Sequence, residues 1–260
     1  MNLIVRRAES EDAQGIVKLF SEDGNPHNWT FEKWSYYYEQ YTEGKTVAFV
    51  AEIDKEIVGH YGLFPIVVDK NKVYMGAHAY VSASVRGLAV ISSLMKSLDR
   101  FCISEKIPFI VGFANARFTI VKNKLFKWQT PFYMSFVVEK EFKSTCFNNR
   151  PFIFEYTDEW LEWRFKEKKS PIISKYINSD NNIVHQLLYA KGSFTAKDFN
   201  LNYFEGWSPS GYIINQSEGF SQPFSIKIYD KNWTGPDLLD PDNWFIQMGD
   251  SDTFIYKAIE

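Results

Sequence analysis

Residues 85–98 read VRGLAVISSLMKSL, and the reading of that stretch decides the fold. An arginine and a glycine come first, and apolar residues then recur with a helical period. Leu88, Ile91, Leu94, Met95, Leu98, Phe101 and Cys102 fall on one stripe, with Lys96, Asp99 and Arg100 opposite, which predicts an amphipathic helix from 88 to about 105. Upstream, YMGAHAYVSA (74–83) reads as a strand, so a tight Arg-Gly turn joins strand to helix. The first turn of a helix carries unpaired N–H groups and the positive end of the peptide dipole, and such a junction attracts phosphate oxygens. Gly87 lets the backbone approach an anion and Arg86 adds charge beside it. A plain strand-to-helix turn looks the same locally, so the surrounding chain must choose.

Working outward, LIVRRA (3–8) is a short strand. Ser10 and Glu11 open a helix carrying Ala13, Ile16, Val17 and Phe20, which closes near Gly24 and Pro26. A second helix within 25–41, capped by Thr30, carries Phe31, Trp34, Tyr37, Tyr38 and Tyr41. Residues 46–83 read as three strands, turning at Asp54-Lys55 and at Asp69-Lys70-Asn71-Lys72. After the 88–105 helix come a buried strand, PFIVGF (108–113), a helix, ARFTIVKNKLF, and a strand region, WQTPFYMSFVVEKEF (128–142). The order β-α-α-β-β-β-α-β-α-β is α/β, and it defines a first domain over 1–143. STCFNNRP (144–151) breaks the pattern. The second domain, 144–260, has one helix candidate, TDEWLEWRFKEKK (157–169), and strand candidates NIVHQLLYA, FSIKIYD and NWFIQMG.

Composition narrows the class. A 45% hydrophobic content over 260 residues is ample for a buried core. With 29 basic and 32 acidic residues the net charge is −3, so no overall field favours nucleic acid or an anionic membrane. The two cysteines form no Cys-x-x-Cys pair and Cys102 lies on an apolar stripe, which leads us to expect free thiols in a reducing, cytoplasmic setting. No run of about 18 apolar residues predicts membrane insertion, and the four histidines have no metal-ligand spacing. YTEGKT (41–46) is not a P-loop, because Glu39 stands where that motif needs glycine.

The element order and the Arg-Gly loop together resemble the GNAT N-acetyltransferase superfamily. Its pyrophosphate loop runs Arg/Gln-x-x-Gly-x-Gly/Ala between the fourth strand and third helix, with a variant Arg-Gly-x-Gly-Ile-Phe-Ser-x-Leu-Met. The matching residues here are Arg86, Gly87, Leu88, Ala89, Val90, Ile91, Ser92, Ser93, Leu94 and Met95. Ala89 replaces the usual glycine and Ile91 a smaller or aromatic residue, yet neither removes an N–H donor as proline would. In GFANA (112–116), Asn115 matches an asparagine that contacts coenzyme A in the family. WLEWRF (160–165) and NWFIQMGDSDTF (243–254) resemble longer members from surface-polysaccharide gene clusters. The resemblance thus implies a mixed central sheet flanked by helices, with a second, smaller, degenerate GNAT-like lobe that shapes the acceptor pocket.

It also implies acetyl-CoA as acyl donor, bound by Val81, Arg86, Gly87, Leu88, Ala89, Val90, Ile91, Ser92 and Asn115, and direct transfer to an amine. The strand near Ala79 to Val81 supplies an N–H for the developing oxyanion. The attacking ammonium must lose a proton and the leaving thiolate must gain one. His60 and His78 are the candidate bases. Family members often place a tyrosine acid four residues before a glycine in the fourth helix. The matching stretch, Val121 to Phe126, contains no tyrosine, which leaves Tyr80 or water. Trp29, Trp34, Tyr37 and Tyr38 are expected to wall the acceptor site or to cover the sheet. The small-molecule acceptor implied is an amino sugar, free or nucleotide-linked. Another small amine such as an aminoglycoside, or a ligand-binding protein that has lost catalysis, are the alternatives.

Overall fold

Two tight turns set the first half of the sheet. Asp54 and Lys55 both take left-handed backbone angles, as do Asp69 and Lys70, with φ between 45° and 70°. That is the geometry of a two-residue hairpin whose twist matches its strands. The second turn is therefore two residues shorter than the sequence suggests, and Asn71 already pairs with Val68. The computed structural model describes residues 2–22, 29–85, 87–136, 150–166, 172–178, 184–192, 204–207, 210–212, 221–246 and 250.

In chain order the elements are β1 (Leu3–Arg7), α1 (Ala13–Phe20), α2 (Phe31–Tyr38), β2 (Val47–Ile53), β3 (Glu56–Val68), β4 (Asn71–Val81), α3 (Leu88–Ser104), β5 (Phe109–Phe113), α4 (Ala116–Phe126) and β6 (Gln129–Phe136). This is the order read from the sequence. Then come β7 (Phe152–Glu155), α5 (Asp158–Leu161), β8 (Ile172–Asn178), β9 (Val184–Gly192), β10 (Phe204–Trp207), β11 (Ser210–Tyr212), β12 (Ser221–Ile228) and β13 (Trp244–Phe245). Of the helix expected over 157–169, α5 widens into a π turn at Glu162–Lys166, and residues 167–169 lie outside the described residues.

The main sheet runs β1-β2-β3-β4-β5-β12-β6-β11, and β8, β9 and β10 form a separate three-stranded sheet. β1 to β4 are antiparallel neighbours. β4 and β5 are parallel and pair at only two rungs, Tyr74 with Ile110 and Met75 with Val111. Beyond them β4 continues to Val81 alongside β3, while β5 continues to Phe113 alongside β12. The sheet therefore forks between β4 and β5. Strands from beyond residue 143 complete this same sheet: β7 lies against Val67 and Val68 of β3, and β12 stands between β5 and β6.

Side-chain alternation along the strands builds a core on each face. α3 packs Leu94, Met95, Leu98 and Cys102 against Phe49, Tyr61 and Leu63, with Trp128 at the edge. α1 and α2 cover the other face with Phe20, Trp29, Trp34 and Tyr37 over Val50 and Phe64. A third cluster joins β5, β7, β12 and β13 through Phe109, Phe152, Phe224 and Trp244. The predicted stripe of α3 is buried as read, except for the half-buried Phe101 and for Leu88, which is 59% exposed at the first helical position.

α3 sits this close to the sheet because Gly59 presents no side chain. A Cβ there would lie 2.8 Å from Val90 Cγ1 and 3.1 Å from Leu94 Cδ1. Gly59→Val should therefore overpack the core and cost about 1–3 kcal/mol, read as a lower urea midpoint with an unchanged m-value.

Candidate active site

The fork opens toward the loop that precedes α3. Ser82 N–H donates to Val58 O at 2.8 Å and ends the β3–β4 ladder. One 3-10 turn, Ala83–Val85, follows. Gly87 then enters α3 in a fully extended conformation (φ −174°, ψ 176°), with no side chain capping the helix. A Cβ on Gly87 would meet only Val85 O, at 3.8 Å, and Leu88 and Ala89 are exposed. The first-turn N–H groups are thus uncapped and approachable, as an anion site requires. Val90 and Ile91 turn their side chains into the core and Ser92 is half-buried, so Val90 and Ile91 offer a ligand only backbone. Val81 ends β4 opposite Gly59. Arg86 and Cys146 lie outside the described residues.

On the other flank of the fork, Asn115 caps α4: its Oδ1 accepts from Phe118 N–H at 2.9 Å. α4 is amphipathic in an unusual sense. It buries Thr119 and Lys122 while exposing Ile120 (54%) and Leu125 (51%). Asn123 donates from Nδ2 to Thr130 Oγ1 at 2.9 Å. The helix ends at Lys127 in the left-handed conformation (φ 58°).

β4 bulges between these features. Gly62 pairs with Ala77 and His60 with Tyr80, so His78 and Ala79 together face Tyr61. His78 takes a left-handed backbone angle (φ 51°) at the bulge, a conformation uncommon for a residue with a Cβ. The bulge turns the His78 carbonyl to His60, whose Nδ1–H donates to it at 2.9 Å. That bond fixes the His60 tautomer and leaves its Nε2 lone pair without a hydrogen-bond partner among the described residues. His60 is fully buried, and burial pushes its pKa down to about 3 against the partial support of the His78 carbonyl. It is neutral at physiological pH. His78 is half-buried, its Nδ1 2.9 Å from the Tyr38 hydroxyl, with Trp29 and Tyr37 ring centroids 4.9 and 5.0 Å away. The enclosed Tyr80 hydroxyl has no partner among the described residues.

Beside the bulge, on the α2 side of β4, lies a narrow, mostly apolar pocket. Phe64 and Ile66 of β3 and Met75 and Ala77 of β4 form its floor, and Tyr37 and Tyr41 one wall. The opposite wall comes from the second half of the chain: Tyr156, Trp160, Trp163 and Arg164. Trp163 stacks on Tyr36 with centroids 4.6 Å apart and donates from Nε1 to Tyr36 O at 3.0 Å. Tyr156 stacks on Trp160 at 3.6 Å. Of the four aromatic residues expected at the acceptor site, Tyr37 lines this cavity. Trp29 and Trp34 are buried beside it, stacked on Phe20 and Tyr38, and Tyr38 reaches His78. Tyr41, Phe64 and Met75 were not singled out from the sequence. Trp160, Trp163 and Arg164 were legible as a cluster, since spacings of three and four place them on one helical face.

An antiparallel run of strands, a fork against a parallel strand, and an uncapped helix at the fork's mouth define the GNAT acetyltransferase fold. The profile of the Acetyltransferase (GNAT) family matches residues 13–117, from α1 to the start of α4, and members of that family use acetyl-CoA as acyl donor. A structure from Enterococcus faecalis V583 described as a "Probable N-Acyltransferase" superposes with a TM-score of 0.52 at 12% identity, over 79% of this chain and 59% of that one. This chain thus spans about three fifths of that protein's length. An N-acetyltransferase from Staphylococcus aureus Mu50 aligns at 17% identity over 55% of this chain and 92% of its own, TM-score 0.44. A GNAT family acetyltransferase from Brucella melitensis, solved in complex with acetyl-CoA, aligns at 15% identity over 46% and 80%, TM-score 0.38. Comparison with curated proteins finds no match. Among the described residues no helix is long and apolar enough to cross a membrane, and no group of three or more His, Cys, Asp or Glu is placed to hold a metal ion.

The buried His60 makes stability depend on pH. Its folded pKa lies below the ordinary 6.5, so its contribution is full above pH 6.5 and is lost as pH falls toward 3. In that window the unfolded chain takes up a proton that the folded one refuses, costing up to about 1.4 kcal/mol per pH unit. His60→Gln keeps a donor for the His78 carbonyl and should flatten that slope, measured as urea midpoints between pH 6.5 and 4.

Proposed function

We propose that this chain is an acetyl-CoA-dependent N-acyltransferase that acts on the amine of an amino sugar. The observation that carries the donor side is the uncapped first turn of α3 at the mouth of the β4–β5 fork. The N–H groups of Leu88, Ala89 and Val90, with Arg86 and Gly87, would hold the diphosphate of the donor, and Val81 and Asn115 flank it. When bound, the donor supplies an acyl thioester. The chain's own part is to place that group against the β4 backbone, hold its carbonyl near an N–H of the bulge, and manage two protons.

His78 is the better placed base. It stands at the bulge, half-buried, with the Tyr38 hydroxyl to orient its ring. His60, buried and neutral, acts through the His78 carbonyl and holds the bulge in shape. The aromatic cavity supplies the acceptor side. Flat rings suit the apolar faces of a sugar or another cyclic amine, and the second half of the chain provides half of that wall. The amino-sugar reading rests on this lining and on the resemblance of the WLEWRF segment. An aminoglycoside-type amine fits it less well, because no carboxylate is among the described residues that line the cavity.

The test is release of free thiol from acetyl-CoA over a panel of amino sugars, their nucleotide conjugates and polyamines. Amino sugars should be preferred, and no thiol release with any amine would overturn the reading in favour of a binding protein. Leu88→Pro removes one N–H from the helix where proline is tolerated. It should weaken coenzyme A binding by about tenfold or more, the worth of one charge-assisted bond, with melting temperature little changed, as read by calorimetry. Trp163→Ala should raise KM for the amine several-fold while leaving KM for acetyl-CoA alone.

A further inference from the structure

Lys122 is buried where the fork begins. It projects from α4 to the underside of β5, 1% exposed, with Nζ 3.4 Å from the centroid of the Trp128 ring. A Cβ on Gly112 would lie 3.3 Å from that Nζ and 3.2 Å from Gly76 O. Gly76 and Gly112 are the residues immediately beyond the last β4–β5 rung, Met75 with Val111. The amine therefore occupies the space that Gly112 leaves empty at the vertex of the fork, and Tyr61 fills the space at Gly76. Among the described residues it makes no hydrogen bond or ion pair. Asp99 of α3 is taken up by Lys227 Nζ at 2.5 Å and by the Tyr229 hydroxyl at 2.8 Å.

A lone buried amine is costly, and cores replace it readily with an apolar side chain. What such a group can do at this place is meet an anion. On the acyltransferase reading, on which this inference rests, the anion formed at the fork is the thiolate of the departing coenzyme. We propose that Lys122 is a catalytic residue that gives the leaving sulfur its proton. As the acceptor nitrogen bonds to the acyl carbon, the carbon–sulfur bond breaks and its electron pair stays on sulfur. The Lys122 ammonium protonates that sulfur and becomes a neutral amine, and the proton shed by the acceptor nitrogen passes through His78 to solvent.

The surroundings tune Lys122 for this. Burial, with a smaller push from Lys227, holds its pKa well below the ordinary 10.5. A lowered pKa makes the ammonium a readier proton donor. The Trp128 ring face favours the charged form. The other titratable groups in this layer are Asp99 and Cys102 of α3, Lys227 and Tyr229 at the end of β12, and Tyr61 of β3. The Cys102 thiol is pushed up to about 12 by burial, and burial likewise raises Tyr61 and Tyr229. Those three keep their protons at neutral pH.

The experiment compares wild type, K122M and K122R in two measurements. The first is kcat against pH with acetyl-CoA and the best amine of the panel. Lys122→Met should lower kcat by about a hundredfold or more, leave both KM values within about threefold, and abolish the alkaline decline of kcat. Lys122→Arg, charged but unable to give up its proton, should not restore it. The second follows thiolate absorbance of bound coenzyme A against pH, without any amine. Wild type should lower the bound thiol's pKa by about one unit relative to K122M. Unchanged kcat and an unchanged alkaline limb in K122M would overturn the role of Lys122 alone. So would a bound thiol that titrates in wild type as it does in free coenzyme A, a result that needs no variant to fold. Failure of wild type to bind coenzyme A overturns the acyltransferase reading and this inference together.

Discussion

The divergence of β4 and β5 after two rungs is the constraint on which the rest of the structure depends. Parallel strands that stay paired leave no entry between them. Strands that part expose backbone N–H and C=O groups that must be satisfied elsewhere. Here β5 turns to β12, and β4 keeps β3 as its only partner up to Val81. The gap brings the α3 N-terminus, the His78 bulge and Lys122 around one opening. Each depends on a local device: an extended Gly87, a left-handed His78, and Gly112 with no side chain against the lysine.

The two faces of the sheet divide the chemistry. On the α3 and α4 side lie the uncapped amides and the buried lysines, suited to anionic groups. On the α1 and α2 side lie the aromatic cavity and the two histidines, suited to a ring-bearing amine. Burial sets the protonation states on both sides: His60 is neutral, and Cys102 and Tyr61 keep their protons. The segment after residue 150 reaches the second face through Tyr156, Trp160, Trp163 and Arg164.

Much of this was legible in the sequence. The period of 3.6 in α3 located the buried side of that helix, and the hairpin turns marked β2 to β4. The Arg-Gly junction pointed to the helix end that faces the fork. Leu88 went astray because an apolar residue in the first turn obeys the period yet has no sheet beneath it. The burial of Lys122 left no trace, since a lysine in a helical pattern reads as solvent-facing and the apolar Ile120 and Leu125 suggest the opposite face. His60 showed its strand but not its depth. Strand patterns also carry no record of their partners, so FSIKIYD read as a strand without revealing that it stands between β5 and β6.

That placement of β12 has a consequence for how the protein is made. β5 and β6 emerge from the ribosome early, but the strand between them comes only after residues 137–220 have been added. At roughly 5–20 residues per second the nascent chain holds two open strand edges for about 4–17 seconds. Unpaired edges of this kind template aggregation. The central sheet is therefore closed late in synthesis, which makes early handling by chaperones matter more for this chain than its final stability would suggest.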